Sequence, residues 1–338
     1  MADTLKNYYK GKRVLVTGGA GCVGSHLVER LDDLQAEVIA LDNFSRLEDN
    51  PRNKKEVLKN HPRVKFLKGD VLDVDLIKRL IKKTDVVFHL AALPSHRLAL
   101  LDPRGYAAVD ILGTINYLEA IRLSDRPVKM LFTSTNKVYG KQPPPFKETM
   151  PPQPVGPYGQ AKLDAEEWCR LYAEFYKLPV VVTRLFHVIG PRSQPDRELS
   201  IFVEQILSDQ PQIVHGRKIN GRFVSCSAGY TNIYEVIEGL LLALMKTNKF
   251  DVFNLGASLE TPVLELARTA QKILKKDIPI IEKEMLGHES LHQASDPAKS
   301  KKLLGWEAKT PVSKSIRQYI AWRLQSGQRS EAVYKSGL

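Results

Sequence analysis

A doubly wound α/β fold, built on a parallel sheet and completed by a smaller C-terminal α/β lobe, is predicted by three observations in this 338-residue chain. Short runs of branched apolar residues recur between amphipathic helical stretches, the βαβ pattern of strands covered on both faces. The first run, Arg13 to Thr17, passes through glycines at 18, 21 and 24 directly into a helical stretch. Later runs end in loops of small, acidic or hydroxyl residues, which a parallel sheet collects along one edge. With 43% hydrophobic residues the chain can bury a large core, and its length allows two lobes.

In Gly18-Gly19-Ala20-Gly21-Cys22-Val23-Gly24 the glycines permit a tight bend, close backbone approach to a pyrophosphate and close helix packing. The helix from Ser25 to Leu34 then turns its N-terminus toward the anion. A second strand, Glu37 to Leu41, ends in Asp42. An acid there accepts both hydroxyls of an adenosine ribose and repels a 2′-phosphate. Asn43, Phe44 and Ser45 follow before the first base, Arg46, so the pattern favours NAD over NADP. The run Val64 to Leu67 leads into Gly69-Asp70-Val71, where Asp70 is placed to bond an adenine amino group with Val71 against the ring. Asp85 to Leu90 leads into Ala91-Ala92, small enough for a cofactor to lie on the backbone. Lys129 to Thr133 ends in Ser134-Thr135-Asn136-Lys137, which brings a hydroxyl to the same edge. After a proline-rich loop, Gln142 to Pro157, Tyr158 and Lys162 stand four positions apart, one turn apart on one face of a helix. A tyrosine titrates near ~10 in water and a neighbouring cation favours its phenolate, so the pair can supply a base close to neutral pH.

Composition narrows the function classes. The net charge of +12 raises nucleic-acid binding, yet the basic clusters Arg52 to Lys68 and Lys299 to Lys302 contain few aromatics to stack on bases. A solvated basic face, with some surplus serving an anionic substrate, is the expectation, and no nucleic-acid partner. Cys22, Cys169 and Cys226 are widely separated, which predicts neither a metal site nor a disulfide framework and fits a reducing cytoplasm. Met1 to Tyr9 is polar, and the longest apolar stretch, Leu240 to Met245, is far too short for a bilayer, so neither a leader nor a membrane span is expected.

Together, the glycine turn, Asp42, Asp70-Val71, His89-Leu90-Ala91-Ala92, Ser134-Thr135, Val138-Tyr139-Gly140, Tyr158 and Lys162 resemble the extended short-chain dehydrogenase/reductases, specifically the nucleotide-sugar epimerases and dehydratases. Thr183 to Arg192, Phe253-Asn254-Leu255-Gly256 and Lys302-Leu303-Leu304-Gly305-Trp306 continue the likeness, which runs from about Lys12 to Arg323. The resemblance implies a Rossmann-type NAD domain over 1–182 and 211–256, and a nucleotide-sugar lobe over 183–210 and 257–338. It implies catalysis by Thr135, Tyr158 and Lys162: Tyr158 removes a sugar hydroxyl proton while the carbon beneath gives hydride to the nicotinamide, Thr135 bonds the same hydroxyl, and Lys162 steadies the phenolate. Phe186 is placed beside the nicotinamide, and Pro94, Asn136, Lys137, His187, Arg192 and Arg222 toward the sugar nucleotide. The family's helices around Ile115 to Ile121 and Tyr158 to Tyr176 pair in a homodimer.

Departures from the family pattern guide the choice of reaction. The 4,6-dehydratases carry Asp-Glu directly after the Thr, and decarboxylases keep the Glu; here Asn136 and Lys137 follow Thr135. Neither can make those proton transfers, so epimerisation is preferred, at C4, with C2 epimerisation kept open by a local likeness of Thr135 to Gly140 to CDP-tyvelose 2-epimerases. A 4,6-dehydratase or uronate decarboxylase is the alternative, and a non-catalytic NAD-binding protein the distant one. Lys137 would also suit a carboxylate at C6 of a uronic acid. Asp110 stands where the family has Asn, and His187 replaces an Asn that meets the substrate diphosphate.

Overall fold

The structure, a computed structural model, describes residues 2–45, 49–285 and 290–326. Arg46 lies outside the described residues. Seven strands form the main sheet: β1 (Arg13–Thr17), β2 (Glu37–Asp42), β3 (Lys65–Lys68), β4 (Val86–His89), β5 (Lys129–Thr135), β6 (Val180–Leu185) and the strand Asp251–Leu255. Their order is Asp251–Leu255, β6, β5, β4, β1, β2, β3, and every pairing is parallel. The chain winds outward in one direction from β1 and in the other from β4. A crevice therefore opens between those two strands at their carboxyl ends.

The strands read as continuous apolar runs because both faces are covered. On one face, Leu27, Val28 and Leu31 of the helix Cys22–Asp33 pack with Leu240 and Leu244 of the helix Ile233–Lys246 against Val14, Val16 and Phe88. On the other, Leu118 and Ile121 of the helix Gly113–Arg122 join Ala165 and Cys169 of the helix Gly156–Tyr176 over Leu15, Val87 and Phe132. Each fully buried Leu or Phe contributes about 1.5–3 kcal/mol.

A smaller sheet places Gln212–Ile219 between Arg222–Ser225, antiparallel, and Ile280–Glu284, parallel. This corrects the expectation that 211–256 returns as a block to the NAD domain. Val214 is fully buried with Phe202, Val203, Leu266 and Ile316 in a separate core, and that burial draws its strand away. The chain rejoins the main sheet with the Ile233–Lys246 helix. Asn232 caps it, its side chain accepting from Tyr234 N at 3.0 Å, and the strand Asp251–Leu255 follows. Among the described residues no helix is long and apolar enough to cross a membrane, and no group of His, Cys, Asp and Glu could hold a metal ion.

Candidate active site

The loops at the carboxyl edge enclose a cavity of about 610 Å³ at the β1/β4 crevice. Gly18 turns the chain out of β1 at φ +67°, and a Cβ there would stand 2.9 Å from Ala91 N. Gly24 passes so close beneath the turn that a Cβ would meet Gly18 O at 2.0 Å. Bare backbone and a helix N-terminus thus face the cavity through Gly18, Gly21, Cys22, Val23 and Gly24, a cradle that suits a pyrophosphate. At the end of β2 the buried Asp42 carboxylate accepts from Ala20 N at 3.0 Å and Phe44 N at 2.8 Å, and lines the cavity with Asn43 and Ser45. Phe44 and Asp70 are set back from the wall. The Lys54 ammonium lies 5.2 Å from the Phe44 ring centroid, and Asp70 accepts from Asn43 Nδ2 at 2.9 Å. Val71, Leu90, Ala91 and Ala92 complete this end, and Thr17 Oγ1 ties the loop after β4 to β1 by accepting from Leu90 N and Ala91 N at 3.1 and 3.0 Å.

Deeper in the cavity, Thr135 ends β5, and Tyr158 comes from the first turn of the Gly156–Tyr176 helix. Lys162 follows one turn later, its side chain 2% exposed and its Nζ 4.5 Å from the Phe132 ring centroid. Burial is the largest influence on both. It pushes the Tyr158 phenol up to about 12, the Asp110 charge adding to the rise while Arg197 and the Thr135 hydroxyl oppose it. Burial likewise pulls the Lys162 ammonium down, against Asp110 and Glu166, which hold its proton on. The Phe186 ring lines the cavity from the loop after β6, and a Cβ on Gly256 would strike it at 2.4 Å.

Toward the smaller sheet, Pro94, Asn136, Lys137 and His187 also reach the cavity. Three of them share one acceptor: Gln293 Oε1 takes Asn136 Nδ2 at 2.8 Å and Lys137 Nζ at 2.9 Å, and lies 3.3 Å from His187 Nε2. Gln293 escaped the sequence reading because it sits in a two-residue strand, His292–Gln293, with no period or motif around it. Arg197, Glu198 and Tyr230 are further lining residues without a local signal. Arg197 Nη2 donates to Pro94 O at 2.9 Å, and Tyr230 gives its hydroxyl proton to Glu198 Oε2 at 2.5 Å.

Two residues expected to meet the substrate lie off the cavity wall. Arg192 does not line the cavity: its guanidinium is buried between Glu29 at 2.6 Å and Glu56 at 3.1 Å, which join it to the first helices of the main sheet. Arg222 is exposed at the end of a hairpin, opposite Ile219, outside the cavity.

Three imidazoles, His26 and His89 buried and His187 half-buried at the cavity wall, set the acid response of the fold. Burial holds His26 and His89 down to about 3 and His187 to about 4, with Arg192, Lys162 and Lys137 respectively adding to the effect. The unfolded chain protonates each near ~6.5, so the folded state loses stability as pH falls below that value. Each contributes up to about 1.4 kcal/mol per pH unit until its folded pKa is reached. Chemical denaturation between pH 7 and 5 is expected to show this decline; a flat profile contradicts it.

Residues 15–319 match the family model described as GDP-mannose 4,6 dehydratase. The dTDP-D-glucose 4,6-dehydratase of Bos taurus is 30% identical over 92% of this chain and 88% of its own. The putative UDP-glucose 4-epimerase of Methanocaldococcus jannaschii is 30% identical over 91% and 97%. Among solved structures, the UDP-glucuronic acid 4-epimerase of Bacillus cereus, in complex with UDP-glucuronic acid and NAD, superposes with a TM-score of 0.84 at 28% identity, covering 93% of this chain and 99% of that one.

Proposed function

The chain belongs to the GDP-mannose 4,6-dehydratase family of NAD-dependent nucleotide-sugar epimerases and dehydratases, and on that premise we propose that it is a nucleotide-sugar epimerase inverting C4. The observation that carries the choice of epimerase is the pair of positions after Thr135. Asn136 and Lys137 place an amide and an ammonium beside the catalytic hydroxyl, both engaged by Gln293, where elimination of water would need an acid and a base. Epimerisation needs only one group that takes a proton and gives it back.

NAD fits the residues present. Gly18, Gly21 and Gly24 with the helix N-terminus would hold its pyrophosphate, Asp42 its adenosine ribose, Ala91 and Ala92 its body, and Lys162 the ribose of its nicotinamide. The chemistry it supplies when bound is the acceptance and return of one hydride, together with a positive ring. Tyr158 removes the C4 hydroxyl proton as phenolate and restores it at the end. Thr135 hydrogen-bonds that hydroxyl, Lys162 stabilises the phenolate, and Phe186 walls the site against water. Burial, with the Asp110 charge added, holds the Tyr158 phenol high, and the positive ring that NAD supplies when bound would join Lys162 in lowering it.

Incubation with UDP-, GDP-, CDP- and dTDP-sugars, read by mass spectrometry, tests the reaction. An isomer of unchanged mass is expected; loss of water or of carbon dioxide would overturn the reading in favour of the dehydratase or decarboxylase. Lys137 also supports a uronic acid as substrate, since its ammonium reaches the cavity beside Asn136. Lys137→Ala is expected to reduce turnover of UDP-glucuronate about tenfold relative to UDP-glucose, about 1.4 kcal/mol, and an unchanged ratio removes the idea.

A homodimer in the cytoplasm completes the proposal. Trp168, Phe175 and Tyr176 leave an apolar face on the Gly156–Tyr176 helix at 39, 69 and 51% exposure, and Leu112 and Leu123 flank the neighbouring helix. Cys22, Cys169 and Cys226 are not joined in disulfides, which suits a reducing compartment.

A further inference from the structure

Asp110 sits in a π-helical turn, Ala107–Leu112, that leads into the helix Gly113–Arg122. Single widened turns of this kind re-aim side chains and recur at functional sites. Here the turn carries a carboxylate inward. Asp110 is 0% exposed, no well-formed hydrogen bond reaches either oxygen although the Leu93 amide faces them, and Oδ1 lies 3.7 Å from Lys162 Nζ, itself buried without a well-formed hydrogen bond. An ionised carboxylate taken out of water and left without hydrogen bonds is costly, and an adjacent ammonium is the compensation this site offers. Asp110 itself does not line the cavity.

Resting on the assignment of Tyr158 and Lys162 as the proton-transfer pair, we propose that Asp110 is a positioning residue: its buried carboxylate is the countercharge that fixes the Lys162 ammonium and offsets that ammonium's pull on the Tyr158 phenol.

The other groups facing this cluster supply less of that charge, Glu166 acting on Lys162 behind Asp110. From the Gly156–Tyr176 helix, Glu166 is held by Arg184 at 2.6 Å, and burial keeps the Cys169 proton on its thiol. From β4, burial keeps the His89 ring neutral. The Tyr106 hydroxyl donates to Ser95 O at 2.6 Å. Arg197 is the remaining cation acting on the phenol, and it lowers it, against Asp110. Asp110 and Lys162 are thus the nearest opposed charges. An Asn at position 110 keeps the shape and removes the charge.

The inference is tested with the NAD-loaded protein by comparing wild type with Asp110→Asn, and with Asp110→Ser should the first fail to fold. The pH at which the Tyr158 phenolate forms is read from ultraviolet difference spectra against Tyr158→Phe, which needs no substrate, and from the ascending limb of kcat where turnover is found. Both are expected to move to lower pH by one unit or more, a tenfold or larger change in the ionisation constant. An unmoved phenolate titration overturns the inference. So does a move to higher pH, which would mean that Lys162 loses its proton without Asp110. Absence of turnover with every sugar nucleotide, alongside a shifted phenolate, would instead count against the epimerase reading and leave this one standing.

Thermal melting supplies a second arm. Burial raises Asp110 to about 6, against Lys162 and the Leu93 amide, whereas the unfolded carboxyl titrates near ~3.9. The unfolded chain therefore releases this proton first as pH rises. Wild type should lose stability relative to Asp110→Asn from about pH 4 to 6, and a constant difference across that window overturns the buried-countercharge account.

Discussion

Tyr158→Phe is expected to lower kcat by about 10²–10⁴-fold while the protein still folds and binds NAD. The ring is what packs: it lies 6.1 Å from Tyr106, edge to face, and Phe preserves that contact. Only the phenolic oxygen is removed, and with it the one group positioned beside Thr135 to take a proton and return it. Thr135 is a poor substitute, because its hydroxyl already accepts from Lys137 N at 3.3 Å and no base adjoins it to draw its proton away. The measurement is kcat, with KM and bound NAD determined alongside. A variant within a few-fold of wild type would show that the proton leaves by another route.

The second large effect is on stability. Arg184, at the end of β6, is 5% exposed and grips Glu166, 4% exposed, through Nε at 3.0 Å and Nη2 at 2.6 Å. Its Nη1 donates to Tyr139 OH at 2.8 Å, Tyr139 donates to Asn254 Oδ1 at 2.8 Å, and Asn254 Nδ2 donates to Phe146 O at 2.9 Å. The network clamps the Gly156–Tyr176 helix to two strands and sets the azimuth from which Tyr158 and Lys162 project. Arg184→Met fills the volume but leaves the Glu166 carboxylate buried and unpaired, which costs about 3–5 kcal/mol. Denaturant unfolding should show a loss of that size. A loss below about 1 kcal/mol would mean that water reaches Glu166. The double variant with Glu166→Gln should recover part of the stability, since an amide is cheaper to bury than a charge.

Much of this architecture is legible in the chain because it depends on short-range pattern. Arg13–Thr17, the glycine turn and the acid at the end of the next strand stand within one stretch of 30 residues, 13–42, and backbone sterics alone make the turn a phosphate cradle. Tyr158 and Lys162 are legible for the same reason, helical spacing. What escapes the sequence is whatever a residue decides by choosing among distant partners. Arg192 follows Gly190-Pro191 where a substrate contact is expected, yet Glu29 and Glu56, more than a hundred positions earlier, take its guanidinium. Arg222 ends in solvent at the turn of its hairpin, opposite Ile219. Gln293 enters the site from a strand of two residues, and nothing in Leu291-His292-Gln293-Ala294 distinguishes it before the fold brings it to Asn136 and Lys137. Gln212–Ile219 joins the smaller sheet because of where Val214 is buried, a tertiary choice that strand propensity does not encode. The fate of Asp110 is of this kind too: the substitution is visible in the chain, its distance from Lys162 is not.

The central claim is that one carbon is oxidised and reduced again in a closed site, with proton and hydride both returned. A sugar nucleotide carrying deuterium on the reacting carbon, C4 in the preferred reading, tests it directly. The account predicts that the epimeric product keeps the deuterium on that carbon, and that reaction of unlabelled substrate in heavy water places no carbon-bound deuterium in the product. Loss of the label to solvent, or its transfer to a neighbouring carbon with loss of water, would contradict it.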